Sequence, residues 1–401
     1  MKDTKKFLMA AVMATGLALS ACAPTSGSAA PAGSAGAGKA AEPVNVGIIY
    51  SKTGPLAAYG ATYYQGLQAG IDYATNGTGE INGAKINLTY ADDAGDPDKA
   101  VTAAKDMIGK GYKIIGGTAS SGIAVKLAEQ AQQNKILYIS GAAATDAIQG
   151  VNKYTFRSGR QSLQDVATAG TFIDPKDKKV VVFAQDNAFG QGNVAAVKAV
   201  LGAKGAAVSS VLVPENQELT PFARQLLDAK PDMVFVAWAG ATTGTMWQSL
   251  SQQGVFDAAP VVTGLGDASS FGAYGPASSK ISFLSHYFPG ASGTEVEKKM
   301  IAGVEKAGGK ADLFTPDGFV LGQLIAQAIK EGGGTDPDAM VKSLEGFSFD
   351  GPKGKETVRA SDHALIQDMY QAKLVQKGDT WAPELVKAVP ADTVAPPEKK
   401  K

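Results

Sequence analysis

The side chains best suited to covalent catalysis are scarce in this chain. It has two histidines, His286 and His363, and a single cysteine, Cys22. Nucleophilic catalysis needs a nucleophile beside a positioned base, and no serine in a Gly-x-Ser-x-Gly turn accompanies the histidines. The sequence therefore predicts a protein without catalytic residues. It is not expected to be an enzyme.

Metal and nucleotide sites are not indicated either. Structural metal sites use clustered cysteine and histidine, and Asp92, Asp93 and Asp96 are not spaced like a calcium-binding loop. We interpret these three acidic residues as a solvated turn between a strand and a helix. The sequence has no Walker motif, and no Gly-x-Gly-x-x-Gly follows the first apolar run. We expect no metal and no cofactor.

The sequence instead offers several loops that are rich in Gly, Ala, Ser and Thr and poor in titratable groups. Backbone N–H groups and hydroxyls in such loops can hold a small molecule without reacting with it. In open α/β sheets, ligands bind beyond the carboxyl ends of the strands. Six loops follow predicted strands in this way: residues 51–60, 117–121, 141–145, 186–190, 238–244 and 264–271.

The elements that position these loops alternate between apolar β-rich runs and helical patterns. Predicted strands are 44–50, 85–91, 112–116, 136–140, 180–184, 207–213, 233–238, 260–263 and 370–375. Predicted helices are 56–75, 97–110, 121–134, 191–201, 221–229, 243–253, 294–307, 316–331 and 336–344. Repeated strand–helix units predict parallel, doubly wound sheets, and the two series predict an α/β protein with two lobes.

The first 22 residues have the pattern of a lipoprotein signal. Three lysines precede an apolar run over residues 7–19, and Leu-Ser-Ala-Cys ends at Cys22. The run is shorter than the roughly 20 residues that a membrane-spanning helix needs. The pattern predicts a signal peptide over residues 1–21 and lipidation of Cys22. A soluble secreted protein with an idle cysteine is the alternative.

The remaining composition indicates a neutral globular protein. Residues 22–42 predict a flexible tether of small residues, and residues 394–401 predict a disordered tail. Removing 21 of the 401 residues leaves 380, which suits about two domains. Basic and acidic side chains number 38 each, so no nucleic-acid partner is expected. No later apolar run reaches 18 residues, so membrane attachment is expected through lipid alone.

Motifs in and around these loops resemble the leucine/isoleucine/valine-binding family of ABC-importer receptors. Their order and spacing match the family over nearly the whole chain after the signal. The matching positions are 44–47, 53–55, 59–60, Gly66, 81–83, 92–93, 96–97, Ala100, 115–116, 120–121, 139–140, 143–145, Asp186, 189–190, Arg359 and 362–363.

The resemblance implies a type I periplasmic-binding-protein fold. Two doubly wound, Rossmann-like lobes with parallel-rich sheets would be joined by a hinge of three crossovers and close on the ligand. Residues 43–160 plus 287–368 would form lobe 1, and 161–286 plus 369–393 would form lobe 2. An extracytoplasmic monomer, lipid-anchored to the bacterial membrane, would deliver its ligand to an ABC permease and ATPase.

The resemblance also implies a site for a ligand carboxylate. Ser120 and Ser121 match serines at a helix start, where free backbone N–H groups favour anions. The alternative is that these serines only cap their helix. Thr145 matches a threonine that faces the same carboxylate, and Ala143 matches a residue that binds through its backbone. The loop around Ala143 is one residue longer than the family pattern.

Aromatic residues are expected to enclose the body of the ligand. Tyr59 and Phe189 match rings that flank the ligand from opposite lobes, and Trp238 would extend the same wall. Burying apolar ligand surface at about 25 cal/mol per Å2 would supply a few kcal/mol. For each of the three rings, packing in the core is the alternative.

One departure from the family pattern bears on the ligand. Amino-acid binders of the family place a glutamate against the ligand ammonium, and this chain has Leu265 there. A buried ammonium without a counter-charge is costly, so either Asp267 takes the role or the ligand lacks an amino group. Arg160 could pair with a carboxylate by a bidentate fork, with an exposed surface arginine as the alternative.

Two ligand classes therefore stay open, a branched-chain amino acid and a carboxylate with an apolar or aromatic body. Two other functions also remain, a lipid-anchored sensor for a signalling partner and an extracellular hydrolase of similar fold. The absence of a nucleophile–base pair argues against the hydrolase. We interpret His286 as a hinge or packing residue, with ligand contact as the alternative, and His363 as structural.

Overall fold

The computed structural model describes residues 41–399. The predicted signal peptide, Cys22 and the tether as far as residue 40 lie outside the described residues, as do residues 400 and 401. Helices and strands begin close to where the sequence pattern places them. For example, the helix predicted over 121–134 has those bounds in the structure.

The first half of the chain forms a parallel sheet with helices packed on it. Its elements are β1 (Val44–Tyr50), α1 (Ala57–Ala74), β2 (Glu80–Ile81), β3 (Ala84–Asp92), α2 (Pro97–Gly109), β4 (Ile114–Gly116), α3 (Ser121–Asn134), β5 (Leu137–Ser140) and β6 (Thr155–Arg157). The strand order is β2-β3-β1-β4-β5-β6, and only β2 among these strands runs antiparallel to its neighbour.

The second series builds most of another sheet. Its elements are α4 (Ser162–Ala169), β7 (Lys179–Gln185), α5 (Ala188–Val200), β8 (Ala207–Val213), α6 (Thr220–Asp228), β9 (Met233–Ala237), α7 (Thr243–Gln252), α8 (Val255–Ala258), β10 (Val261–Gly264), α9 (Phe271–Tyr274) and β11 (Ile281–Ser285). Strands β7 to β11 pair in parallel, in the order β11-β10-β9-β7-β8.

The last third of the chain first returns to the first sheet and then completes the second. It comprises α10 (Glu295–Lys306), α11 (Thr315–Gly332), α12 (Pro337–Leu344), β12 (Ser348–Gly351), β13 (Gly354–Val358), β14 (Leu365–Ile366), β15 (Met369–Lys377), β16 (Thr380–Val389) and α13 (Ala391–Val394). Side chains of α11 and α12 share a hydrophobic core with β1, β4 and β5. Strands β15 and β16 join the second sheet antiparallel beside β11.

The predicted α/β fold class, with two lobes and parallel-rich sheets, is confirmed. The described chain passes between the two sheets three times: after β6, after β11 and between β14 and β15. The residue boundaries given above for the two lobes stay a prediction. The sequence pattern missed the short strands β2 and β6, the strands β11 and β16 and the small antiparallel sheet β12-β13-β14. Short or irregular strands carry little periodicity.

The segment after α13 differs from the disordered tail predicted over 394–401. Arg359 donates to the Pro396 carbonyl at 2.8 Å, and the Lys399 backbone N–H donates to Asp362 at 2.9 Å. Gln149 donates to the Pro397 carbonyl at 2.9 Å. These long-range partners supply the hydrogen bonds that the polar, proline-rich sequence cannot supply locally.

Helices α1 and α11 pack with their backbones in contact. A Cβ atom built on Gly318 would lie 1.9 Å from the Tyr63 carbonyl oxygen, and one on Gly66 would lie 2.0 Å from the Thr315 carbonyl oxygen. Only glycine permits this approach. The contact sets the position of the first turns of both helices, which face the carboxyl ends of the first sheet.

We expect Gly318→Ala to destabilise the fold. The added methyl group must push α11 away from α1, and overpacking of this kind typically costs about 1–3 kcal/mol. Urea denaturation measures the loss. Gly272→Ala is the matched control, because a Cβ there meets nothing within 4 Å. Equal stability of the two variants would contradict this account of the helix pair.

Candidate functional site

A cleft lies between the two sheets at the carboxyl ends of their parallel strands. Its cavity has a volume of about 400 Å3. The structure brings together the six small-residue loops that the sequence singles out, since each of them contributes residues to the lining.

Most of the predicted site residues line this cavity. Seven do so: Tyr59, Ser120, Ser121, Arg160, Phe189, Trp238 and Leu265. Ala143, Thr145 and Asp267 do not lie among the lining residues. Ligand contact by any of the ten residues stays a prediction.

The start of α3 forms one wall of the cleft. Ser120 occupies the N-cap position, yet its side chain makes no capping hydrogen bond. Its backbone N–H donates to the Thr118 hydroxyl at 3.3 Å. The Ser120 hydroxyl is therefore not used to cap the helix, contrary to the alternative interpretation. The free N–H groups of the first turn favour an anion here.

The prediction of a solvated acidic turn between β3 and α2 is wrong for Asp93, whereas Asp92 and Asp96 are partly exposed. The Asp93 side chain is fully buried and accepts hydrogen bonds from the Ser51 hydroxyl at 2.8 Å, the Thr118 hydroxyl at 2.5 Å and the Gly95 N–H at 2.8 Å. Three hydrogen bonds offset the desolvation of its carboxylate. Asp93 thereby fixes the loop that leads to Ser120.

The loop after β5 presents Ala142 and Ala144 to the cavity rather than Ala143. Thr145 is directed elsewhere, because its hydroxyl accepts the Ala147 N–H at 3.1 Å and caps a short 3-10 turn. Its carbonyl accepts from the buried Arg157 at 2.6 Å.

Arg160 is a buried cation in the cleft, not the exposed surface arginine of the alternative interpretation. Its side chain is 11% exposed and lies 3.3 Å from Asp165, measured between Nε and Oδ2. Its Nη1 donates to the Ala142 carbonyl at 2.8 Å, and its guanidinium lies 5.4 Å from the centre of the Phe314 ring. Burial raises the pKa of Asp165 to about 6, although Arg160 acts in the opposite direction.

Aromatic rings enclose the cleft from both sides. The Tyr59 ring packs 4.7 Å from Phe314 on the side of the first sheet. On the side of the second sheet, Trp238 stacks on Phe183 at 5.7 Å and donates to the Thr242 hydroxyl at 2.9 Å. Phe189 lies at the start of α5. The rings that line the cavity are those of Tyr59, Phe189, Trp238 and Phe314. The rings can cover an apolar or aromatic ligand.

The position expected to meet a ligand ammonium is apolar. Leu265 lines the cavity and is 3% exposed. Oδ1 of Asp267 accepts the Ser269 N–H at 2.9 Å and caps a 3-10 turn, and Asp267 is not among the lining residues. The remaining lining carboxylates are Asp165, which lies against Arg160, and the exposed Glu215.

The cleft contains Phe314, which was not predicted, and His286, for which ligand contact was only the alternative interpretation. Phe314 lines the cavity from the loop before α11, and the His286 ring lies 5.1 Å from it. His286 also lines the cavity. The sequence pattern predicts a helix that starts at Pro316. It contains no signal that the residues before this helix face the cleft. His363 instead stacks on Phe156 at 3.8 Å.

Hydrogen bonds span the cleft between groups attached to the two sheets. The Ala268 backbone N–H, in the turn after β10, donates to the Asp312 carboxylate at 3.0 Å. The Gly240 N–H, after β9, lies 3.5 Å from the Tyr59 hydroxyl oxygen. Burial raises the pKa of Tyr59 to about 12, so its hydroxyl stays neutral.

The described residues show neither a metal cluster nor a membrane span. Over residues 41–399, no group of three or more His, Cys, Asp or Glu side chains could hold a metal ion. In the same part of the chain, no helix is long and apolar enough to cross a bilayer.

Comparison with known proteins gives the family. The family model described as periplasmic binding protein matches residues 43–379, so the chain belongs to this family. Homolog 3 of the Leu/Ile/Val-binding protein of Brucella melitensis is 26% identical over 74% of this chain and 82% of its own length. The chain is thus an extracytoplasmic solute-binding protein of an ABC transporter, and such proteins are not enzymes.

Solved structures share the same architecture. An ABC-type branched-chain amino acid transporter protein from Rhodopseudomonas palustris is 30% identical, with a TM-score of 0.75 over 89% of this chain and all of that one. A solute-binding protein from the same species, in complex with 4-hydroxybenzoate, is 21% identical with a TM-score of 0.78, over 86% of this chain and 97% of that one. At that identity the second likeness shows the fold alone.

We expect Asp93→Ala to lower stability and to loosen the wall at Ser120. The change leaves two buried hydroxyls without an acceptor, at about 1–3 kcal/mol for each unsatisfied group. Urea denaturation measures the cost. Asp106→Ala removes an exposed carboxylate that pairs with Lys110 at 3.5 Å and should cost well under about 1 kcal/mol. Asp93 would not have its assigned role if both variants unfolded at the same urea concentration.

Proposed function

We propose that the cleft binds a small carboxylate with an apolar or aromatic body. The observation that carries the proposal is the distribution of charge in the lining. A buried guanidinium, Arg160, and the N-terminus of α3 favour an anion. By the family resemblance, Leu265 stands at the position where amino-acid binders use a glutamate, and it is buried and apolar.

An ammonium group would find little compensation at this depth. The Asp165 carboxyl already lies 3.3 Å from Arg160, and the Asp267 carboxylate caps a turn outside the lining. Glu215 is exposed at the edge of the cavity. Desolvating an ammonium without a buried partner costs several kcal/mol, which the rings of Tyr59 and Trp238 would only partly offset.

A branched-chain amino acid is the second candidate. The relatives named for leucine, isoleucine and valine, and the 30% identical structure named for branched-chain amino acids, favour it. In that case the ligand carboxylate would occupy the α3 wall, and Glu215 would have to reach the ammonium from the cleft edge.

The receptor would act by closing on its ligand and docking on a permease and its ATPase. Ligand shifts the hinge equilibrium only by its differential affinity for the closed form. We further propose that the protein is held at the membrane by lipid on Cys22. The signal pattern over residues 1–22 supports this anchor. A sensor that presents the same closed form to a signalling partner would use the same cleft.

Matched ligand pairs test the ligand class. We expect 4-methyl-2-oxopentanoate and phenylpyruvate to raise Tm more than L-leucine and L-phenylalanine, which carry an ammonium group and a hydrogen on the α-carbon in place of the ketone oxygen. A ligand at 100 times its Kd adds about 2.7 kcal/mol of apparent stability. Larger shifts with the amino acids would favour the second candidate instead, and no shift with any of the four would contradict both.

Variants then locate the two ends of the ligand. Arg160→Lys keeps the charge but loses the planar fork, so the oxoacid shift should shrink. Arg224→Lys, on the exposed face of α6, is its matched control. Leu265→Glu should weaken oxoacid binding more than leucine binding, since it places a carboxylate where only an ammonium could compensate it. Equal losses of affinity for both ligands would show that Leu265 does not stand at the ammonium position.

The anchor is tested by Cys22→Ser. Thioether lipidation needs the thiol, so the variant should lose incorporation of radiolabelled palmitate and move from the membrane fraction to the soluble fraction. Fractionation with immunoblotting measures the change. Wild-type protein that is soluble and unlabelled would contradict the anchor and favour a secreted protein whose Cys22 is not lipidated.

A further inference from the structure

A polar pair lies beneath the floor of the cleft, where the chain passes between the sheets. Asp317, on the first turn of α11, is fully buried, and neither carboxyl oxygen has a hydrogen-bond partner among the described residues. Its Oδ1 lies 3.8 Å from Nε2 of His286, which is also without a hydrogen-bond partner there. His286 is 3% exposed and lines the cavity. The pair therefore connects the cleft to the buried junction behind it.

Charged and titratable groups face this pair from every packed element. They are Tyr63 of α1, Arg157 of β6, Arg160 after β6, Asp165 of α4, Lys353 in the turn before β13 and Glu356 of β13. The cations Arg160 and Lys353 favour the ionised form of Asp317. The carboxyls of Asp165 and Glu356 oppose it.

Burial has the largest effect on the pKa of each member of the pair. It raises the pKa of Asp317 to about 7, and Lys353 and Arg160 act in the opposite direction. Burial also lowers the pKa of His286 well below its usual value. The imidazole is thus neutral at neutral pH, while Asp317 is poised between its protonated and ionised forms. A protonated Asp317 removes the cost of a buried carboxylate without donors.

We propose that His286 and Asp317 form a proton-binding pair coupled to the ligand site, so that an anionic ligand seated at Arg160 binds together with a proton. The inference rests on the proposed carboxylate ligand. A carboxylate at Arg160 cancels part of the positive field that keeps Asp317 ionised. Ligand and proton therefore each strengthen the binding of the other, by thermodynamic necessity to the same extent.

The coupling would also set specificity. A monoanion adds one negative charge to the cleft and draws the proton in. A zwitterion adds an ammonium within a few ångströms of its carboxylate, so the net field at Asp317 changes little. The pair therefore favours simple carboxylates over amino acids. The effect is electrostatic and passes through the charge at Arg160, so Asp317 need not contact the ligand.

The first test needs no ligand. A carboxyl whose pKa rises on folding stabilises the protein fully below its ordinary pKa, and that stabilisation is lost as the pH rises through the folded value of about 7. Wild-type Tm should therefore fall between pH 5 and pH 8 relative to Asp317→Asn, which cannot ionise. Asp228→Asn, an exposed carboxylate on α6, should track wild type. A constant difference between wild type and Asp317→Asn across this range overturns the proton site.

The second test measures the coupling with 4-methyl-2-oxopentanoate as the probe. Calorimetry at pH 6 and pH 8 should show Kd rising by about threefold or more in wild type, with proton uptake revealed by buffers of different ionisation enthalpy. In Asp317→Asn both effects should vanish, while Asp228→Asn keeps them. Equal wild-type affinity at the two pH values, or proton release, overturns the coupling. Failure of the oxoacid to bind contradicts the proposed ligand class as well, and the ligand-free scan still decides whether the proton site exists.

Discussion

The backbone contact between α1 and α11 is the constraint on which the site depends. At Gly66 and Gly318, a backbone carbonyl oxygen of the other helix occupies the space that a side chain would need. The helices come from distant parts of the chain, and the second arrives only after the chain has passed through the other sheet and returned. Their contact places Tyr59, Phe314 and Asp317 around one end of the cleft. A wider helix separation would disperse these three residues.

Charge in the cleft follows from this arrangement and from the passages between the sheets. Arg160 follows β6 at the first passage, and His286 follows β11 at the second. Both residues are buried, and both line the cavity. Burial without full compensation makes such groups responsive to an added charge. This lining is the basis of the proposed anionic ligand, because Arg160 is a buried cation and Leu265 offers no counter-charge to an ammonium.

Much of the fold could be predicted from the sequence, because it depends on local patterns. The bounds of α3 and of β8 agree with the apolar periodicity, and the carboxyl ends of the predicted strands indicated the six loops that meet at the cleft. What could not be predicted depends on long-range contacts. Asp93 is buried because Ser51 and Thr118 reach it from loops 42 and 25 residues away. Phe314 faces the cleft because α11 docks on α1, and no local signal encodes that docking.

The hydrogen bonds that span the cleft imply a limit on how strongly the empty receptor can favour one shape. The contacts from Ala268 to Asp312 and from Gly240 to Tyr59 are each worth on the order of 1 kcal/mol net, and opening exposes the same groups to water that can replace them. A difference of a few kcal/mol leaves the minor shape at about 0.1–10% of the population. In the proposed mechanism, the empty protein would then populate both an open and a closed form, and ligand would change the ratio between them.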